Sequence, residues 1–196
     1  MDRANALLTY AGTDPSNEAS NTQDQKMMFP LSRYDGSFLQ FRCDEKGFLG
    51  ICALGLPGHT HEDDSSRGIQ AALELRLKVQ EGGHRTCVGV TTGRLLCTCV
   101  GAHKIRSEYT VSDGGHSVHG EPEAISPAVF PLQVFGDAIN LSARLMVKCQ
   151  KGAAEILCDE ATYSNAKYMA MFTPLEPMCL KVRTVQGEIR FHDIIY

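Results

Sequence analysis

The order of strand-like and helix-like segments is the feature that most restricts how this chain can fold. The runs "SFLQFRC" and "FLGICALGL" are joined by the short polar turn "DEKG", which is typical of a β-hairpin. The next segment, "HEDDSSRGIQAALELRLKVQEGG", starts with acidic residues and serines, repeats its apolar residues with a helical period and ends on a glycine pair. These three signals together predict a helix.

The remaining segments continue the alternation of strands and helices. Strand-like runs follow at "TCVGVTTG", "RLLCTCVG" and "SEYTV", then a helix from Asp137 to about Cys149, the strand "AEILCD", a short helix "EATYSNAK" and closing strands. This order predicts an α+β fold of the ferredoxin-like kind, in which a mixed or antiparallel sheet carries helices mainly on one face.

The N-terminal part of the chain differs in composition from the rest. Residues 11–26 are rich in Ser, Asn, Asp and Gln and contain few side chains that a core could bury. We therefore expect residues 1–33 to form a linker or a poorly ordered segment and residues 34–196 to form one domain. The 196 residues, of which 43% are hydrophobic, are sufficient for a domain with its own core.

Charge, hydropathy and cysteine usage restrict the partners and the compartment. The net charge of -4 is spread without long runs of one sign, so no basic face indicates nucleic acid. No window approaches the roughly 20 apolar residues that a membrane span needs. Most of the eight cysteines lie within apolar runs, where a reduced thiol behaves as a small hydrophobic group. We therefore expect a cytoplasmic protein without disulfides.

Two polar residues of the segment "FGDAINLSARLM" are the first candidates for chemistry. Asn140 and Arg144 are four residues apart, so a helix presents them on one face. An amide and a guanidinium placed side by side could hold a sugar and neutralise a phosphoryl group during displacement at phosphorus. The same spacing is also that of an ordinary solvated helix face, and the spacing alone leaves both interpretations open.

The surrounding segments carry a family resemblance. "SEYTV" and "FGDAINLSARLM", preceded by "VGVTTGRLLCTCVGAHKIR", resemble the catalytic domain of class III nucleotidyl cyclases, most closely the second of the two cyclase domains in soluble adenylyl cyclases. The resemblance covers about residues 35–194, and its most specific part is the Gly-x-x-x-Asn-x-x-x-Arg helix. It implies an N-terminally truncated cyclase fold that pairs with another cyclase domain and holds ATP at the interface. There the ribose 3′ oxygen attacks the α-phosphate to give cyclic AMP and pyrophosphate.

The resemblance also implies roles for four residues. Asn140 would hold the ribose and Arg144 would stabilise the charged transition state. Lys46, in "DEKG", matches the lysine that contacts the adenine edge, and Thr110, in "EYTV", matches its partner. Guanylyl cyclases typically have Glu and Cys at these two places, so we expect adenine. The alternatives are a solvated lysine at a hairpin tip and a threonine that favours a strand.

The metal ligands of the family are the part that the sequence lacks. Class III cyclases use two Asp carboxylates to hold Mg²⁺ or Mn²⁺, and the first lies in an early strand of the form Phe-x-Asp-x-x-Gly-Phe, which does not occur before Tyr34. Asp44 is a weak candidate for the second. We therefore expect the ligands to come from a first-half domain in the same or another chain. A homodimer is the alternative partner arrangement. The rival hypothesis is an inactive cyclase-like module that dimerises or regulates a partner.

Residues 111–133 interrupt the family pattern. Removing them joins "SEYT" to "VFGDAINLSARLM" and restores the family spacing. One hypothesis is a retained in-frame intron, because the codons of Val-Ser and of "FPLQ" can match common intron ends. The alternative is a true loop in which His116 and His119 could bind a metal such as zinc. The motif "GHTHEDD" could likewise suggest a metal site, but it also suits the start of the helix that follows.

Overall fold

The computed structural model describes residues 6–12, 30–44, 47–81, 83–99, 132–152, 154–181 and 186–195. Within these residues the elements, in chain order, are β1 (Ala6–Gly12), β2 (Ser37–Asp44), β3 (Gly47–Leu54), α1 (Asp64–Glu81), β4 (Thr86–Thr91), β5 (Leu96–Cys99), β6 (Leu132–Phe135), α2 (Asp137–Lys151), β7 (Ile156–Asp159), α3 (Glu160–Ala166), β8 (Met171–Pro174), β9 (Met178–Lys181), β10 (Gln186–Ile189) and β11 (Phe191–Ile195). The predicted hairpin, the two long helices and the short helix are all present.

A seven-stranded sheet forms the centre of the structure. Its strand order is β2-β3-β1-β4-β7-β11-β8, with β4 and β7 parallel and the other neighbours antiparallel. Strands β9 and β10 form a separate antiparallel pair, as do β5 and β6. The mixed sheet and the helices confirm the predicted α+β fold class.

Strand β1 occupies a central place that the composition of the N-terminal part did not predict. It pairs with β3 from Ala6 opposite Leu54 to Gly12 opposite Phe48, and on its other side it pairs with β4. Part of the segment expected to be a linker, residues 1–33, is therefore a sheet strand. The physical reason is that β3 and β4 each need a hydrogen-bonding neighbour, and the short run "ALLTYAG" supplies it.

The helices cover both faces of the sheet. Alternate residues of a strand point to opposite faces, and in β4 the side chains of Val88 and Val90 join the core that contains Ile69 of α1. The same core includes Ala166 of α3. Cys87 points the other way, into the core built on α2. Helices α1 and α3 thus share one face, whereas α2, which carries the candidate catalytic pair, packs on the opposite face.

Three further expectations concern residues that the structure describes. The closing segment "EIRFHDII", predicted as one strand, is divided at Arg190 between β10 and β11. Four cysteines of the described part, Cys52, Cys87, Cys149 and Cys158, are buried and free. Among the helices that the structure describes, none combines the length and the apolar character needed to cross a bilayer.

Candidate functional site

Helix α2 lies directly on strand β4 because β4 has a glycine where the two cross. A Cβ atom built on Gly89 would lie 2.0 Å from the main-chain oxygen of Ser142 and 2.9 Å from the amide nitrogen of Met146. Close to this crossing, the hydroxyl of Thr91 donates a buried hydrogen bond of 2.9 Å to the main-chain oxygen of Ala138. Strand β4 therefore sets both the distance of α2 from the sheet and the position of its first turn.

The C-terminal end of α2 is also held in place. The Nη2 atom of Arg85 donates hydrogen bonds to the main-chain oxygens of Gly152, at 2.6 Å, and Cys149, at 3.3 Å. Carbonyl groups at the end of a helix lack partners within the helix and carry partial negative charge, so a guanidinium is a favourable partner. The helix is fixed at both ends before any ligand binds.

Asn140 and Arg144 lie on this fixed helix. Ser142 and Leu145, on the sheet side of α2, are fully buried, whereas Asn140 is exposed and Arg144 is partly buried. With 3.6 residues per turn, the two candidate side chains share one face of the helix, and exposed Lys148 continues that face one turn further. The predicted helix and the shared face are confirmed, and the chemical roles of the two residues stay predictions.

A cavity of about 320 Å³ lies at the N-terminal end of α2. Its lining comes from Asp137, Ala138 and Leu141 of α2, from Ile189 of β10, and from Thr92, Gly93 and Arg94 after β4. Asn140 and Arg144 are not among the lining residues, but Leu141 lies between them in the same helix. The structure thus brings a cavity next to the candidate pair and does not place the pair inside it.

Thr92, Gly93 and Arg94 form a short segment, here named the cavity loop, to which the sequence pattern assigned no function. They follow six consecutive buried residues of β4, and the pattern predicted them as parts of two strands. A Thr-Thr-Gly sequence directly after a fully buried strand is the signal that could have marked a loop at the edge of the sheet.

The two residues expected to contact adenine cannot be placed. Lys46 lies in the sequence between Asp44 and Gly47, which pair in the β2–β3 hairpin, but Lys46 itself lies outside the described residues. Thr110 also lies outside them. The hairpin is confirmed, and both base contacts stay predictions.

The expected insertion at residues 111–133 lies mostly outside the described residues. Residues 111–131 lie outside the described part of the chain, but Leu132 and Gln133 belong to β6. They pair with Cys99 and Thr98 of β5. The last two residues of the expected insertion therefore take part in a strand pair, and the insertion at residues 111–133 stays a hypothesis.

The residues that the structure describes do not form a site for two metal ions. The register of β1 brings Ala11 and Gly12 beside the β2–β3 hairpin, yet the sequence of β1, "ALLTYAG", contains no carboxylate. At the described end of the hairpin Asp44 is the acidic residue. No group of three or more His, Cys, Asp and Glu side chains in the described ranges is arranged to hold a metal ion.

The acidic residues of "GHTHEDD" make local contacts at the start of α1. The Oδ2 atom of Asp64 accepts a hydrogen bond of 2.9 Å from the amide of His61. The carboxylate of Asp63 pairs with Arg67 one turn later, at 2.8 Å. The Nε2 atom of His61 lies 3.0 Å from the carboxylate of Asp35. These contacts agree with the interpretation of the motif as a helix start.

Solved structures with the same architecture identify the fold. The structure is similar to the adenylyl cyclase CyaB from P. aeruginosa, with a TM-score of 0.67 and 14% identity over 100% of this chain and 96% of that chain. It is also similar to the guanylate cyclase domain of RhGC from Catenaria anguillulae in complex with GTP, with a TM-score of 0.62 and 13% identity over 100% and 98% of the two chains. This chain has the fold of a class III nucleotidyl cyclase catalytic domain.

Further comparisons bear on this cyclase fold. A dimeric guanylyl cyclase domain from the RhoGC fusion protein of the aquatic fungus Blastocladiella emersonii matches with a TM-score of 0.62 and 12% identity, over 100% of this chain and 98% of that chain. No protein-family model and no curated protein matches the sequence. Adenylyl and guanylyl cyclases are both among these similar structures, so the fold does not distinguish between the two activities.

Proposed function

We propose that the chain is the second-half catalytic domain of an adenylyl cyclase, which converts ATP to cyclic AMP and pyrophosphate when it pairs with a metal-binding first-half domain. The observation that carries the proposal is the way α2 is held. Strand β4 and Arg85 fix a helix that presents Asn140 and Arg144 on one face, next to a cavity. A rigid element of this kind suits a site whose groups must be in position before the substrate arrives.

Each proposed residue has a role that its chemistry can perform. The amide of Asn140 holds the ribose, while the guanidinium of Arg144 stabilises the charge that develops on the α-phosphate as the 3′ oxygen attacks. Lys46 and Thr110 make hydrogen bonds to the adenine edge. A preorganised donor that acts on the transition state contributes about 3–4 kcal/mol to the lowering of the barrier.

The missing carboxylates favour a particular kind of partner. Because β1 has no acidic residue, a homodimer would join two chains that both lack this ligand. A first-half domain that supplies the carboxylates for Mg²⁺ or Mn²⁺ completes the site instead. A cytoplasmic location accords with the four free, buried cysteines of the described part.

The second candidate function is a catalytically inactive module that dimerises with, or regulates, a cyclase domain. The same absence of a carboxylate from β1 favours it. The two functions differ in what Arg144 does. In a catalytic half-site its guanidinium contributes to turnover, whereas in an interaction module it contributes at most to association.

The test is complementation with a metal-competent first-half cyclase domain. Cyclic AMP formation from Mg²⁺-ATP and Mn²⁺-ATP is measured for the full chain and for a version lacking residues 111–133, with GTP as the competing substrate. The matched variants are Arg144→Ala and Lys148→Ala, which remove a cation from the same helix face one turn apart. The first-half domain paired with a known active second half shows that it is competent.

Catalysis by this half-site predicts cyclic AMP formation that falls by about 10²–10³-fold in Arg144→Ala and stays near the unmodified level in Lys148→Ala. Activity that appears only after the deletion would support the hypothesis of a retained intron. If both versions bind the partner, as followed by sedimentation, but neither yields cyclic AMP, the interaction module is the function. Preferential formation of cyclic GMP would contradict the assignment of adenine.

A further inference from the structure

A buried carboxylate from a neighbouring strand holds the cavity loop. Asp159, the last residue of β7, is 7% exposed. Its Oδ1 atom accepts a hydrogen bond of 3.0 Å from the amide of Thr162, in the first turn of helix α3. The same oxygen accepts a second hydrogen bond, of 3.4 Å, from the amide of Thr92 in the cavity loop. A single carboxylate therefore joins the beginning of α3 to the wall of the cavity.

A chain of side-chain hydrogen bonds strengthens this connection. The hydroxyl of Thr92 lies 2.9 Å from the hydroxyl of Thr162 and 3.1 Å from that of Ser65 in the first turn of α1. The Nδ2 atom of Asn165 donates to Ser65 at 3.3 Å. Thr162 is fully buried. These hydrogen bonds are partly buried, so water competes with them less than it would with exposed ones, and they restrict the loop more strongly.

Helix α2 holds the cavity loop from the opposite side. A Cβ atom built on Gly93 would lie 3.1 Å from the Cβ atom of Ala138. Thr91, which precedes the loop, donates its hydroxyl hydrogen bond to the main chain of the same alanine. The loop is thus enclosed between α2 on one face of the sheet and the Asp159 network on the other.

We infer that Asp159, together with the hydroxyl of Thr92, is a positioning residue that fixes the cavity loop as a wall of the site beside Asn140 and Arg144. The importance of this wall for a nucleotide rests on the proposed function, but the positioning itself does not. A glycine-containing loop loses conformational freedom when it is ordered, and a network that orders it in advance removes that cost from ligand binding.

The first experiment measures hydrogen exchange of the cavity-loop amides in the full chain. In Asp159→Ala we expect exchange of these amides to accelerate by about tenfold or more relative to β4, because a hydrogen bond to a charged acceptor is lost. Asp159→Asn keeps an oxygen acceptor and restores slow exchange. Glu81→Ala is the control, since it removes an exposed carboxylate at the opposite end of α1 from Ser65 and the network.

Three results would overturn the inference. They are unchanged loop exchange in Asp159→Ala, equal acceleration over the whole chain, and a failure of Asp159→Asn to restore protection. If Asp159→Ala does not fold, Thr92→Val decides, because it removes the hydroxyl contacts and keeps the loop's amides. Faster exchange at Gly93 and Arg94 supports the inference, and unchanged exchange contradicts it.

The second experiment uses the complemented cyclase. We expect the KM for ATP to rise several-fold in Asp159→Ala and to recover in Asp159→Asn, with a smaller change in kcat, because Asn140 and Arg144 are untouched. A fall in kcat at unchanged KM would contradict a role in shaping the binding wall. If the unmodified pair makes no cyclic AMP, the proposed function fails, while the exchange experiment still decides whether Asp159 positions the loop.

Discussion

Replacing Gly89 by alanine is predicted to displace α2 from the sheet. The new Cβ atom would lie 2.0 Å from the main-chain oxygen of Ser142, whereas ordinary contacts begin at 3.4 Å. The helix must therefore move outwards by roughly 1.4 Å at this point, because the obstructing atoms are backbone atoms that cannot rotate away. Overpacking of this kind lowers the free energy of unfolding by about 1–3 kcal/mol, and we expect the upper part of that range.

Urea unfolding followed by circular dichroism measures this loss of stability. Gly152→Ala is the matched control, because a Cβ atom there would meet its nearest neighbour, the main-chain oxygen of Lys148, at the ordinary distance of 3.5 Å. We expect the control to lie within about 0.5 kcal/mol of the unmodified chain. In the complemented cyclase, Gly89→Ala should also reduce turnover by up to about 100-fold, because displacement of the helix by about 1 Å misplaces Asn140 and Arg144.

The reasoning is refuted if Gly89→Ala unfolds at the same urea concentration and with the same slope as Gly152→Ala. Such a result would mean that α2 does not rest on the β4 backbone at the distance that the structure shows. A variant with unchanged stability but lost turnover would instead show that the helix is displaced without a loss of stability.

Three further predictions concern buried ionisable groups. Burial lowers the pKa of His192, and Glu160 at 4.0 Å opposes this shift only partly. As the pH falls, His192 is therefore protonated in the unfolded chain before it is protonated in the folded chain. The free energy of unfolding falls as the pH drops below about 6.5. His192→Phe keeps an aromatic ring against Tyr163. Below about pH 6.5 it should reduce the dependence of the free energy of unfolding on pH, measured by urea unfolding, by at most about 1.4 kcal/mol per pH unit. Burial raises the pKa of the Asp159 carboxyl, although the Thr162 hydrogen bonds oppose this. The carboxyl therefore contributes most to stability at low pH, and this contribution is lost as the pH rises through the pKa of the folded state. At pH 7 Asp159→Asn should be as stable as the unmodified chain or more so, whereas Asp159→Ala should lose about 1 kcal/mol by calorimetry; a clearly less stable Asn variant would contradict this. Burial also raises the pKa of the thiols of Cys52, Cys158 and Cys149, the last to about 12. Thiol labelling at pH 8 followed by peptide mapping should therefore find these cysteines modified only in urea. Rapid labelling of the folded chain would refute their burial.

The elements that could be predicted from the sequence are those whose signals are local. The start, period and end of α1 all lie within one segment, and the β2–β3 hairpin has its turn between two apolar runs. Strand β1 lacks such signals, because its hydrogen-bonding partners, β3 and β4, lie far along the chain. Its run "ALLTYAG" precedes a polar stretch and therefore has the composition of a frayed end.

The candidate site likewise has one part that local sequence signals predict and another that they do not. The spacing of Asn140 and Arg144 predicts a shared helix face, and the structure confirms that face. The cavity loop and Asp159 could not be predicted, because their relation depends on the parallel pairing of β4 and β7. Parallel neighbours are joined by long crossovers, so residues that meet at their ends have no fixed spacing in the sequence. Asp159 alone has the local pattern of an ordinary helix cap.

The position of β1 has a consequence for how the chain acquires its structure. Strand β1 precedes both of its partner strands in the chain, and it pairs Leu7 with Ala53 on one side and with Thr91 on the other. It can gain both neighbours only after the hairpin and the whole of α1 have left the ribosome. Non-local pairing of this kind slows folding and leaves hydrogen-bonding edges exposed in the meantime. The nascent chain should therefore depend on chaperones until residue 91 is available, and a polypeptide started at Tyr34 would keep two such edges open permanently.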